Sequence, residues 1–132
     1  CMEKAIEHAG ITKESVDYIN THGTSTGMGD PIETNAIAEL FSEHAGEMAV
    51  TSTKGATGHM MGAGGITEAI TCIQCIRTGV VPPTLNLDEL DEKCASLNYV
   101  PHKAIEKEVR VAMSNSFGFG GQNSSVIFCR YE

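Results

Sequence analysis

Three side chains able to move or stabilise charge, His22, Lys54 and His59, stand in two loops rich in glycine and threonine. Lys54 and His59 lie in Thr-Ser-Thr-Lys-Gly-Ala-Thr-Gly-His-Met-Met-Gly-Ala-Gly-Gly (residues 51–65), a stretch with five glycines. His22 lies in Thr-His-Gly-Thr-Ser-Thr-Gly (residues 21–27). Two imidazoles and an ammonium suit general-acid catalysis or the stabilisation of a developing oxyanion. A single histidine is more often a packed, hydrogen-bonded one, but two in matching loops, one beside a lysine, point to a paired site. Other chemistries lack their patterns. No G-x-S-x-G elbow supplies a serine nucleophile. Residues 55–59 lack the order of a phosphate-binding G-x-x-x-x-G-K-[ST], and residues 118–123 lack the third glycine of G-x-G-x-x-G.

The surrounding pattern must position these loops. Residues 16–20 and 48–53 read as strands, each delivering one histidine loop. Residues 1–10 read as the end of a helix with Met2, Ile6 and Ala9 on one face and Gly10 as its stop. Asp30-Pro31-Ile32-Glu33 reads as a helix start, with Asp30 at the N-cap, Pro31 at N1 and Glu33 closing a capping box. Ile32, Ala36, Ile37, Leu40 and Phe41 would then form its apolar stripe. A third helix is expected over residues 65–78, with Ile66, Ala69, Ile70, Ile73, Ile76 and Val80 on its buried face and Thr67, Thr71, Gln74 and Thr78 opposite; Glu68 stands one turn in. Gly79 and Pro82-Pro83 end it. Residues 90–96 read as a polar loop and 97–100 as an edge strand. Alternation over 109–113 and 125–131 predicts two further strands, joined by a turn over 115–123 with three glycines and two phenylalanines.

Composition narrows the function. The chain has 132 residues, 41 % of them hydrophobic, enough for one domain with a core, 1–132. Its opening residues, beginning at Cys1, already read as mid-helix, so a fragment of a longer polypeptide is expected. A net charge of −8 without a basic cluster argues against nucleic acid. No apolar run approaches the roughly 20 residues that span a bilayer. The cysteines Cys1, Cys72, Cys75, Cys94 and Cys129 are odd in number and suggest a reducing compartment. Cys72 and Cys75 form a C-x-x-C inside a helix, with no second pair to complete a metal site, and read as core filling. His44, between Glu43 and Glu47, reads as a solvated surface histidine.

Asn-Thr-His-Gly-Thr-Ser-Thr (residues 20–26), with Gly29-Asp30 and Glu33-Thr34 after it, resembles the first histidine motif of the β-ketoacyl-acyl-carrier-protein synthases. Ser-Thr-Lys-Gly-Ala-Thr-Gly-His (residues 52–59) resembles their lysine and second-histidine motif, and Asn-Ser-Phe-Gly-Phe-Gly-Gly (residues 115–121) their C-terminal loop. Residues 82–87 and 98–101 are similar to the linking segments. The likeness spans the whole chain in the family's order. The His/His/Lys set is similar to the elongating type II synthases, whereas the initiating class has asparagine at the second histidine. Thr21, where alanine or serine is common, and Gln122, where threonine is frequent, depart from the pattern without removing a chemical group.

The resemblance implies an α/β, thiolase-like fold of two halves, of which this chain would be the C-terminal one, a mixed sheet with packed helices. It implies a decarboxylating Claisen condensation of malonyl-carrier protein with an enzyme-bound acyl thioester. His22 and His59 would bond the malonyl thioester oxygen, and Lys54, paired with Glu68, would set the electrostatics. Phe119 would be the gate to the acyl pocket, and Glu68, Thr24, Thr26 and Phe117 would be supporting residues. No cofactor is implied beyond a structural monovalent cation near Asn20, Glu68, Ser114 and Asn115. The implied partners are acyl carrier protein bearing acyl and malonyl groups, the N-terminal half with the nucleophilic cysteine, and a second copy in a homodimer. No cysteine here has the helix-start setting of that nucleophile, so this chain alone is expected to be inactive. With no obvious basic patch on this chain, carrier docking is expected mainly on the other half. The cytoplasm of a bacterium, or an organelle of a eukaryote, is the expected setting. The alternatives are a non-catalytic, chain-length-factor-like partner subunit, a polyketide-type ketosynthase and an acyl- or CoA-binding module.

Overall fold

The structure, a computed structural model, describes residues 1–131. Its centre is a four-stranded sheet in the order β2-β1-β5-β6, built from β1 (Tyr18–Asn20), β2 (Ala49–Thr51), β5 (Val111–Gly118) and β6 (Gln122–Cys129). β1 runs parallel to β2 and β5, and β6 returns antiparallel to β5. Register sets Asn20 beside both Thr51 and Ser114. The ends of β1 and β2 therefore lie level, and the loops leaving them emerge at one edge of the sheet, the usual place for an α/β site. A small antiparallel ladder, β3 (Val80–Val81) with β4 (Ile105–Glu106), stands apart.

Strand alternation divides the core into two layers. Ile19, Val50, Val111 and Met113 face one way and pack with Met2 and Ile6 of α1 (Met2–Ala9) and Ile37 and Phe41 of α2 (Gly29–Phe41). Tyr18, Ala49 and Ala112 face the other way, onto Cys72, Cys75 and Ile76 of α4 (Gly64–Thr78). Each fully buried large side chain contributes about 1.5–3 kcal/mol. The mixed α/β architecture is the one expected from the sequence. Gly10 ends α1 at φ 66°, as the glycine stop predicts, but of the expected stripe only Met2 and Ile6 are buried, and Ala9 is exposed.

Several local expectations give way. Asp30 is not the N-cap of α2: it lies in the first turn, its Oδ1 accepts the Ser25 N–H at 3.1 Å, and Thr26 Oγ1 accepts Gly29 N–H at 3.0 Å. Glu33 closes no capping box but turns inward. Ile32 and Ala36 are exposed, because the inner face of α2 is carried by Glu33, Thr34, Ile37 and Phe41. The stretch expected as a loop from Lys54 opens with a helical turn, α3 (Lys54–Thr57). Residues 97–100 form no strand; one parallel bridge joins Asn98 to Ala49. β5 and β6 extend into residues expected as a turn, leaving a tip at Phe119, Gly120 and Gly121. The two glycines there adopt φ 86° and 77°, values that side chains rarely allow. His44 is mostly buried: its Nε2 meets Val16 O at 2.9 Å and its Nδ1 faces Glu47 at 3.5 Å.

The largest departure is α4. Ile66, Ile70 and Ile73, assigned to the core by periodicity, are exposed, Ile66 by 62 % and Ile70 by 52 %. Glu68, Cys72, Cys75 and Ile76 face the sheet instead. Burial pushes the Cys72 thiol up to about 12 and the Cys75 thiol up to about 11, consistent with core filling by two free thiols.

Candidate active site

β1 delivers His22 and β2 delivers Lys54 and His59. Thr21 N–H donates to Thr51 O at 2.8 Å, extending the β1–β2 ladder to the threshold of both loops. Beyond that point the His22 backbone is gripped by Glu33, a carboxylate only 3 % exposed. Its Oε1 accepts His22 N–H at 2.9 Å and its Oε2 accepts Gly23 N–H at 3.0 Å, while Asn115 Nδ2 donates to Oε1 at 3.2 Å. Burial raises the pKa of Glu33, and the backbone donors at Gly23 and His22 oppose that rise. Gly23 adopts φ 41°, and a Cβ there would lie 2.6 Å from both Ser52 Cβ and Thr21 Oγ1. The turn therefore admits only glycine. Glu33 is not among the site residues expected from sequence; its signal is its place in α2, three residues after Asp30, which also fits a capping box.

The rings of His22 and His59 meet edge to face with centroids 5.6 Å apart, and the Phe117 ring lies tilted against His22 at 5.4 Å. The edge-to-face contact of the two histidines is a favoured geometry between rings. Burial, then the charge of Lys54, lowers the His22 pKa and keeps its imidazole neutral near pH 7. His22 Nδ1 is buried without a partner. Met61 N–H donates to His59 Nδ1 at 3.2 Å, with Met61 held at φ 51°. That is a costly conformation for a residue with a side chain. With Nδ1 accepting, the neutral His59 ring carries its proton on Nε2, the nitrogen free to donate.

Lys54 Nζ donates to Glu68 Oε1 across the gap between α3 and α4, and both side chains are almost wholly buried, 8 % and 4 % exposed. Ser116 Oγ donates to Glu68 Oε2 at 3.4 Å, tying the pair to β5. The lysine is thus spent on a buried carboxylate, an arrangement that sets local potential rather than one that frees an amine for attack.

The remaining expected residues divide. Thr24 is half-buried, Thr26 is exposed with its Oγ1 accepting the Gly29 N–H at the start of α2, and Phe119 stands fully exposed at the β5–β6 tip. Asn20, Ser114 and Glu68 face the α4 side of the sheet. Asn115 does not join them: its side chain points to the opposite face, where Nδ2 reaches Glu33 and Met2 Sδ and Oδ1 accepts from Ser125 Oγ at 2.7 Å. Asn20 donates to Tyr18 Oη and Thr53 Oγ1, yet its own Oδ1 is buried without a partner. An orphaned oxygen of this kind suits a hard monovalent cation. Among the described residues, no group of three His, Cys, Asp or Glu gathers as a metal site.

Two imidazoles thus meet at one end of the sheet near a buried Lys–Glu pair, and residues 1–88 match the family described as beta-ketoacyl synthase, C-terminal domain. The chain belongs to that family. It is 48 % identical over 130 residues to the 3-oxoacyl-[acyl-carrier-protein] synthase 2 of Coxiella burnetii, covering 98 % of this chain and 31 % of that protein. Among solved structures, a β-ketoacyl synthase from Burkholderia phymatum superposes with TM-score 0.93 at 40 % identity, over 99 % of this chain and 31 % of that one. A type II polyketide ketosynthase solved with its acyl-carrier protein superposes with TM-score 0.95 at 31 % identity, over 100 % of this chain and 32 % of that one. The fold is therefore the thiolase-like one, and the chain spans about a third of the length of these relatives.

Proposed function

We propose that this chain is the C-terminal catalytic part of an elongating 3-oxoacyl-[acyl-carrier-protein] synthase. The observation that carries the reading is the convergence of His22 and His59, edge to face at 5.6 Å, with His59 Nε2 left to donate. An acyl group waits as a thioester on a cysteine of the rest of the polypeptide. The bond between the malonyl carboxylate and its methylene carbon breaks, carbon dioxide leaves, and the electron pair becomes an enolate whose oxygen takes hydrogen bonds from the two imidazoles. That carbon attacks the acyl thioester carbonyl, a carbon–carbon bond forms, and the cysteine leaves as thiolate. Removing one donor from such a site typically costs about 3–4 kcal/mol.

The buried Lys54–Glu68 pair holds the local potential, and Phe117 and Thr24 line the approach to the imidazoles. Phe119, at a tip with two glycines, gates the acyl pocket. Asn20 Oδ1, Ser114 and Glu68 are the residues that would hold a structural monovalent cation, which would give the orphaned amide oxygen its partner. Cys72 and Cys75 are buried with raised thiol pKa values, so neither is the nucleophile. The isoleucine stripe of α4 is large and contiguous for a free surface; the half of the polypeptide that carries the cysteine covers it and closes the open side of His59. Acyl carrier protein is the donor, a homodimer the assembly, and the bacterial cytoplasm or a eukaryotic organelle the setting; among the described residues, no helix is long and apolar enough to cross a membrane.

The test supplies the complete polypeptide with acyl- and malonyl-carrier protein and follows the 3-oxoacyl product by mass spectrometry. Product from wild type that collapses in both His22→Ala and His59→Ala supports the reading. A folded wild-type protein that makes no product sinks it and points to a non-catalytic partner of the chain-length-factor kind.

A further inference from the structure

Ser52 stands one residue beyond β2, between the two histidine loops, and its hydroxyl uses its proton toward one and a lone pair toward the other. Oγ donates to Gly23 O at 2.8 Å, and Lys54 N–H approaches the same Oγ at 3.4 Å. The Ser52 backbone is itself anchored, its N–H donating to Thr84 Oγ1 at 3.3 Å. Gly23 is the residue after His22, and its N–H already rests on Glu33 Oε2. Ser52 takes the carbonyl of the same residue, so both polar groups of Gly23 are held, one from α2 and one from the end of β2. Among the described residues, the Ser52–Gly23 bond is the hydrogen bond that joins residues 22–29 to residues 52–65 beyond the β1–β2 ladder. The loops touch there with no slack, since a Cβ on Gly23 would lie 2.6 Å from Ser52 Cβ.

We propose that Ser52 is a positioning residue: its hydroxyl fixes the His22 loop against the Lys54–His59 segment and so sets the distance and angle between the two imidazoles. It touches no substrate and acts only through the rings. A polar atom that aims two donors at one oxygen matters because a misplacement of about 1 Å can cost about a hundredfold in rate. The proposal rests on the condensing function for its kinetic consequence, but not for its structural one.

The experiment uses the complete polypeptide with Ser52→Ala and Ser52→Thr. The expected result for Ser52→Ala is a fall in kcat of about tenfold, equivalent to about 1.4 kcal/mol, with KM for malonyl-carrier protein within about twofold. Ser52→Thr, which keeps the hydroxyl, recovers most of the rate. In a His59→Ala background the Ser52→Ala change should add almost nothing, because no pair remains to align; a merely structural role would cost the same in both backgrounds. Independently of turnover, the through-space NMR contact between the His22 and His59 rings should be present in wild type and Ser52→Thr and weakened in Ser52→Ala. Wild-type kcat in Ser52→Ala, or an unchanged ring-to-ring contact, overturns the proposal. If wild type proves inactive, the condensing function falls, while the NMR comparison still decides for or against Ser52.

Discussion

Glu33→Gln is the sharpest single test of how the His22 loop is held. The carboxylate accepts three hydrogen bonds, His22 N–H and Asn115 Nδ2 on Oε1 and Gly23 N–H on Oε2. A glutamine has one acceptor oxygen. Placed at Oε1 it keeps the first two, and its amide nitrogen then faces the Gly23 N–H, donor against donor. One charge-assisted bond worth about 1.5–3 kcal/mol is lost at a buried site. Removing the charge gives something back, since the raised pKa of Glu33 reports that its ionised form is penalised by burial. The net is about 1–2 kcal/mol against the closed loop. Local opening should rise by the same free energy, so amide exchange at His22 and Gly23 in the complete polypeptide should accelerate about five- to thirtyfold, while amides in α4 stay unchanged. The rate of condensation should fall with it. Unaltered exchange at residues 22 and 23 would refute the clamp, whatever happened to activity.

Two further outcomes are expected. Lys54→Met should destabilise by about 3–5 kcal/mol because it strands a buried carboxylate, and Lys54→Met with Glu68→Leu should regain most of that stability without regaining turnover; thermal unfolding and product formation together check this. For His22, the unfolded chain binds a proton near the ordinary value of about 6.5, whereas the folded chain, with its pKa lowered by burial and by Lys54, binds it only at lower pH. The unfolded state thus holds more protons in that window, so His22 contributes no pH dependence above about 6.5 and a loss of stability as pH falls below it. An NMR titration of the His22 ring should give a midpoint below 6.5, and a midpoint above it would count against the burial argument.

Much of the site is legible because its signals are local. The strand-like residues 16–20 before Thr-His-Gly and the β-branched run over residues 50–53 before Lys54 read as two strands each followed by a loop, and both loops do leave the same end of the sheet. The family resemblance pairs Lys54 with Glu68, and the two meet in a buried ion pair. What periodicity does not show is a side chain with two credible uses. Asp30 and Glu33 have capping-box spacing, yet the His22 and Gly23 N–H groups offer Glu33 two buried donors. A carboxylate held by buried donors on both oxygens gains more than one reaching back to an exposed helix end. His44 reads as solvated from its neighbours in sequence, but Val16 O, distant in the chain, receives its ring.

The α4 helix shows the deeper reason that pattern alone fails. Its isoleucines form a stripe at helical spacing, and the hydrophobic effect says only that such a stripe is covered by something. The other face holds Glu68, Cys72 and Cys75, with a charge that an isolated domain would leave in water. Here that charge must reach Lys54, and Lys54 is fixed by β2, so the carboxylate side turns to the sheet and the small thiols fill the space that Ala49 and Ala112 leave. The isoleucines are then carried outward as a consequence of where the chemistry sits. Changing Ile70 to a charged residue should accordingly spare the packing of α4 on the sheet and weaken the seam between this chain and whatever part of the polypeptide covers the stripe. Thermal unfolding of the complete polypeptide, with amide exchange across α4, checks this: protection at Cys72 and Cys75 that collapses with the substitution would place the stripe in the core after all.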